Sequence, residues 1–175
     1  EIEVLRAKFK TQIATNIDMY ININVDQFYG IEYEEFPAQI AQVAMWLIDH
    51  QMNQQVSEAF GEYFVRLPLR KSATIVHGNA LRIEWQSLLQ EGQQYNYILG
   101  NPPFYGKHLQ NAEQKEDMEL VFEKVNGAGI LDYVTAWYIR AAQYMKRYNA
   151  DALKTKAAFV STNSISQGEQ AGTLW

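Results

Sequence analysis

The sequence predicts an α/β fold built on a mostly parallel sheet covered by helices on both faces. Three observations lead there. Short apolar, β-branched runs alternate along the chain with helical stretches, the pattern of parallel strands joined by crossover helices. Each candidate strand stops at a turn signal after four to six residues, too short for a buried helix. Unusual polar residues follow the strands: Glu32, Asn79, Asn101 and Asn163. In open parallel sheets ligands bind outside the carboxyl ends of the strands, so these four share one expected location.

In chain order, Ile2, Leu5, Phe9 and Ile13 recur near helical spacing over residues 2–14. Ile21, Ile23 and Val25 alternate with Asn22, Asn24 and Asp26, a strand pattern, and a second strand is expected over 27–32. Pro37 sits where a first-turn proline is tolerated, with Glu34 and Glu35 near the positive end of a helix dipole. The helix over 38–48 is apolar nearly all round and is expected to be well buried. Residues 53–71 are mixed and read as an irregular or short helical connection. Strands are expected at 73–76 and 95–99, with a short helix at 83–89 between them. The polar segment 105–117 reads as mobile, and 118–125 as helical up to the break at Gly127 and Gly129. Asp132 is a plausible cap for an amphipathic helix whose apolar face is Val134, Trp137, Tyr138, Ala141, Met145 and Tyr148, with Lys146 and Arg147 in its last turn. A final strand is expected at 157–160. No repeat, low-complexity tract or linker divides the 175 residues, so one domain, 1–175, is expected.

Composition narrows the function. The formal net charge is −5. A domain that grips nucleic acid unaided is usually basic, because phosphate neutralisation supplies much of the affinity. If this chain acts on DNA, other regions must do most of the holding. The absence of cysteine excludes disulfides, thiolate metal sites and thiol nucleophiles, and accords with a cytoplasmic location. No apolar stretch is long enough to span a bilayer, and the charged opening run is no signal peptide. Residues 1–14 read as a helix already under way and Leu174-Trp175 as the start of another, so both ends read as cuts. His50, His77 and His108 show no ligand spacing, so no metal site is expected.

The strongest motif is Asn101-Pro102-Pro103-Phe104, directly after the strand ending at Leu99. Two prolines fix φ and give a stiff turn without backbone donors. The Pro102 carbonyl can then point outward as a rigid acceptor beside the carboxamide oxygen of Asn101. Two adjacent acceptors suit a planar amine, which carries two N–H donors. Phe104 adds a flat face for stacking a base or another planar group. The bland alternative is a strand-terminating proline turn with a packed Phe. Two further features are weaker alone: Tyr29-Gly30-Ile31-Glu32, where an acidic residue ends a strand, and the polar turn Gly78-Asn79-Ala80-Leu81.

The Asn-Pro-Pro-Phe loop resembles the catalytic loop of S-adenosylmethionine-dependent amino-methyltransferases with a Rossmann-like fold. With Phe28-Tyr29-Gly30-Ile31-Glu32, Gly78-Asn79-Ala80-Leu81-Arg82, the run from Leu131 to Tyr138 and the run from Ser161 to Gln170, most of the chain is similar to the methyltransferase region of MmeI-like enzymes. Those are single-chain bacterial restriction–modification proteins that methylate adenine N6. The resemblance implies that Asn101, Pro102, Pro103 and Phe104 bind and stack the target base, extruded from the duplex. It implies that Glu32, Asn79 and Ala80, with Asn101, line the S-adenosylmethionine site, Glu32 at the ribose and Asn79 where the family more often has Asp. It also places Asp132 near the pocket, a helix cap being the equal reading, and marks Asn163 as a second pocket candidate.

The family opens with a strand and a glycine-rich loop for the methionine part of the cofactor, and 1–175 contains no such loop. The resemblance therefore implies an incomplete fold lacking its first and last strands, weak or absent cofactor binding, and inactivity in isolation. The gap is expected to close by direct pairing of its neighbours, by a strand at 21–25, or by a second copy of the chain across an exposed sheet edge. No nuclease signature is present. Glutamine-amide methylation of a protein, methylation of RNA adenine, and a non-catalytic packing module stand as alternatives.

Overall fold

A computed structural model describes residues 21–60, 72–123, 127–148 and 154–175. The expected helix at 2–14 lies outside these residues. The described strands are β1 (Tyr29–Glu32), β2 (Thr74–His77), β3 (Tyr97–Gly100) and β4 (Lys156–Phe159). They form two separate two-stranded parallel sheets, β1 with β2 and β3 with β4. The chain divides into two compact units, Glu1–Ala80 and Leu81–Trp175, each holding one pair.

In the first unit, Glu32 pairs in register with His77, so both strands end at one edge. The Gly78 amide donates to the Glu32 carbonyl at 2.8 Å and extends the ladder by one bond into the turn. No strand forms at 21–25: residues 21–24 are irregular and Val25–Gln27 is a 3-10 turn. The reason is local. The Gln27 carboxamide accepts the Asn24 amide at 2.6 Å and donates to the Asn22 carbonyl at 3.2 Å, closing a turn that competes with extended backbone.

Helix α1 (Glu35–Phe60) is far longer than 38–48 and absorbs residues 53–60, expected to be an irregular or short helical connection. Residues 49–60 contain no glycine or proline. Their side chains also support one another at helical spacing: Asn53 donates to Asp49 at 3.1 Å and Gln54 to Glu58 at 3.2 Å. The expected deep burial is not found. Phe36, Ile40, Val43 and Leu47 are each at least half exposed along one stripe, because an apolar circumference records what a helix offers, not what covers it.

In the second unit, helix α2 (Ala112–Phe122) includes residues 118–122, expected to be helical, and begins six residues earlier, within the stretch 105–117 expected to be mobile. A reciprocal capping box starts it: Gln114 N donates to Asn111 Oδ1 at 2.8 Å, and Asn111 N to Gln114 Oε1 at 2.9 Å. Its inner face buries Asp117, Met118, Val121 and Phe122. Helix α3 (Thr135–Tyr148) follows as expected and buries Ala141 and Tyr144, with Lys146 and Arg147 in its last turn. A short helix α4 (Ala171–Leu174) ends the chain. Leu81, Met118, Val121, Phe122, Leu131, Tyr133 and Ala136 form the core.

β3 and β4 pair over their full length, Gly100 opposite Phe159, and the Val160 amide donates to the Gly100 carbonyl at 3.0 Å. A Cβ at position 100 would lie 3.1 Å and 3.3 Å from the Phe159 ring. Glycine is thus what lets the ring lie beside the strand just before Asn101.

Candidate active site

Asn101 leaves β3 at the edge where β4 also ends. Of the elbow residues only Pro102 is buried; Asn101, Pro103 and Phe104 are exposed, Phe104 by 44%. Neither the Asn101 carboxamide nor the Pro102 carbonyl has a hydrogen-bond partner among the described residues. The proline anchors the turn, and two neighbouring acceptors stay open.

The elbow is fixed at its far end. The Tyr105 carbonyl accepts the Tyr133 amide at 2.8 Å and the Gln110 carboxamide at 3.3 Å. Gln110, itself buried, also donates to the Leu131 carbonyl at 3.0 Å. Beneath this, Asp117 is 1% exposed and has both oxygens engaged: Oδ1 by Arg82 Nε at 2.5 Å and Oδ2 by the Tyr133 hydroxyl at 2.6 Å. The hydrogen bond and charge of Asp117 raise the Arg82 pKa above its ordinary value.

Beside the elbow's continuation lies an open cleft of about 430 Å³. Residues 106–109 form one wall, and Ser164, Gln167, Glu169 and Gln170, beyond β4, form the other. Asp132 joins them. Its amide donates to Gln170 Oε1 at 2.9 Å, and its Oδ2 accepts the Ser164 hydroxyl at 2.5 Å. A Cβ on Gly106 would lie 3.5 Å from Asp132 Oδ1. The Asp132 carbonyl accepts the Thr135 amide at 3.0 Å and hydroxyl at 2.6 Å, so its backbone closes the first turn while its side chain faces the cleft.

Asn163 is exposed and opens the 3-10 turn Asn163–Ile165, its carbonyl accepting the Ser166 amide. It does not line the cleft; its neighbour Ser164 does. Sequence reasoning therefore missed Ser164, Gln170 and the 106–109 wall. The polar run from Ser161 to Gln170 marked the region, but only the turn geometry selects which hydroxyl turns inward.

In the first unit, Glu32 ends β1 half-buried, and its Oε1 accepts only a long bond, 3.4 Å, from the Glu34 amide. Asn79 and Ala80, partly buried, follow the adjacent strand end. A carboxylate with open lone pairs and a carboxamide at one sheet edge fit a ribose and an attached heterocycle. Among the described residues no three His, Asp or Glu side chains gather as metal ligands, and no helix is long and apolar enough to cross a membrane.

A parallel strand pair followed by a proline-stiffened acceptor loop, with a polar cleft beside that loop's continuation, makes the second unit an α/β body able to hold a polar ligand there. More narrowly, residues 1–175 match the family model of the MmeI DNA-methyltransferase domain, and the chain belongs to that family. DNA methyltransferase A of Bacillus subtilis (strain 168) is 40% identical over 156 residues, 88% of this chain and 17% of that protein. A solved structure of the Type IIL restriction-modification enzyme MmeI in complex with DNA superposes with a TM-score of 0.86 at 52% identity, over 99% of this chain and 23% of that one. The chain thus spans less than a quarter of either relative's length.

Proposed function

We propose that this chain is the part of a DNA methyltransferase, within a restriction–modification enzyme, that holds adenine N6 for methylation by S-adenosylmethionine. The observation that carries the reading is the pair of open acceptors on the elbow, Asn101 and the Pro102 carbonyl, in a chain of the MmeI methyltransferase family. One planar amine satisfies both acceptors through its two N–H bonds. Holding those bonds turns the nitrogen lone pair away from the ring and toward an incoming carbon. Phe104, exposed beside them, stacks on the extruded base. Pro103 keeps the ring and the acceptors in one fixed relation.

S-adenosylmethionine supplies the methyl group as a sulfonium carbon. Glu32 would accept its ribose hydroxyls, Asn79 and Ala80 would border its adenine, and Asn101 would contribute to cofactor binding as well as to holding the target. Asp132, which lines the cleft together with residues 106–109, would face the extruded nucleotide. The fold is of the Rossmann-like methyltransferase kind, a reading supported by the parallel pairs and the superposition on MmeI. Residues 1–175 would form part of the catalytic domain. With a net charge of −5 they would leave the duplex to be held by other regions.

The test is methylation of genomic DNA by the full-length protein, followed by nucleoside mass spectrometry. The expected product is N6-methyladenine, absent with Asn101→Ala. Methylated cytosine instead would overturn the adenine assignment, and labelled protein or RNA with unlabelled DNA would overturn the substrate class.

A further inference from the structure

We propose that Asp117 and Tyr133 are positioning residues that set the Asn101–Phe104 elbow for reaction from beneath, without touching substrate. The proposal rests on the methyltransferase reading above. The elbow has a single buried residue, Pro102, so its open acceptors keep their direction only if the chain beyond Phe104 is fixed. That fixed point is the Tyr105 carbonyl, held by the Tyr133 amide at 2.8 Å. The Tyr105 ring lies 6.5 Å from that of Tyr133, and the Tyr133 ring meets Trp137 edge-on at 5.2 Å.

Tyr133 is oriented in turn by the bond from its hydroxyl to Asp117 at 2.6 Å, and Asp117 by Arg82 at 2.5 Å. Both Asp117 and Tyr133 are buried, Tyr133 in a cluster otherwise made of Leu81, Met118, Val121, Phe122, Leu131 and Ala136. A leucine at position 117 would pack in that cluster without the desolvation cost of a carboxylate. What the carboxylate adds is a single direction for the Tyr133 hydroxyl, and through it a single placement of the Tyr133 backbone under the elbow. Misplacing a reacting group by about 1 Å costs roughly 100-fold in rate, so a tether of this kind acts on kcat rather than on affinity.

The experiment is steady-state methylation by full-length protein carrying Tyr133→Phe, Asp117→Leu or Asp117→Asn, with S-adenosylmethionine affinity and melting temperature measured on each. Tyr133→Phe and Asp117→Leu are expected to lower kcat roughly 10- to 100-fold. Their DNA KM and cofactor affinity should stay within about twofold. Asp117→Asn, whose one carboxamide oxygen can still accept the Tyr133 hydroxyl while the bond from Arg82 is lost, should recover part of the rate. Wild-type kcat in Tyr133→Phe overturns the proposal, as does a kcat loss that tracks falling stability and cofactor affinity in every variant. If Asp117→Leu fails to fold, Tyr133→Phe decides alone, because it removes one hydroxyl and no packing. A wild-type protein that transfers no methyl group defeats the methyltransferase reading itself; an active wild type with an equally active Tyr133→Phe defeats only the positioning role.

Discussion

The Ser164 hydroxyl donates to the Asp132 carboxylate at 2.5 Å, tying the segment beyond β4 to the start of α3 at the wall of the cleft. The bond joins residues 32 apart in sequence and leaves Asp132 Oδ1 toward Gly106. A bulky side chain at position 106 would fill that space. Gly106→Leu in the full-length protein is expected to raise the DNA KM by about tenfold or more while cofactor affinity holds, since one well-made contact is worth about 1.4 kcal/mol per tenfold. Filter-binding and steady-state methylation would check this; an unchanged KM would remove the cleft from the DNA path.

Asn101→Ala deletes one of the two open acceptors. Loss of a preorganised polar group at a reacting centre typically costs about 100- to 1,000-fold in kcat. The variant is expected to lose methylation to that degree with its melting temperature unchanged, because Asn101 is exposed and has no partner to lose among the described residues. Rate and thermal melt measured on one preparation separate the two effects.

Glu32→Gln should weaken S-adenosylmethionine binding by about tenfold, as a charge-assisted bond to a ribose hydroxyl becomes a neutral one. The β1–β2 pairing uses only the backbone of Glu32, whose carbonyl accepts Gly78 N, so the fold should be untouched. Calorimetric titration of full-length protein gives the affinity directly.

Tyr144 is buried at 4% exposure, donates to Gln86 at 2.8 Å and accepts the Tyr95 amide at 3.1 Å. Burial raises its pKa above the ordinary value of 10.0. Its folded pKa thus exceeds its unfolded one, so its contribution to stability is whole below pH 10 and declines as pH rises beyond that value. Melting temperature should fall above pH 10, and Tyr144→Phe should flatten that limb while lowering stability at neutral pH by about 1 kcal/mol for the lost hydrogen bonds. A melt series from pH 8 to 11 tests the sign.

The local turns were more legible in the sequence than the packing. Asn101-Pro102-Pro103-Phe104 is local: two prolines after a strand dictate the turn, and the structure places its acceptors open. The strand end at Glu32 was legible, and the one expected at Leu99 falls one residue short of Gly100, because apolar runs meet turn signals there. The first half of helix α2 was not legible, because its start depends on the Asn111–Gln114 exchange of hydrogen bonds and its inner face includes Asp117, whose burial makes sense only beside Arg82 and Tyr133. Nor was the turn at 25–27, where glutamine and asparagine side chains outcompete a pattern that reads as strand. Ser164 rather than Asn163 faces the cleft because of the 3-10 turn's geometry, which no periodicity encodes.

One feature of the elbow bears on how such a protein can change. Its near anchor is Pro102, sunk into the second unit, while its aromatic ring projects outward. Stiffness and surface chemistry are thus carried by different residues two positions apart. Phe104 is free to drift to tyrosine or tryptophan with little effect on folding, altering the face proposed to stack on a base, whereas Pro102 is the position at which variation should be tolerated least.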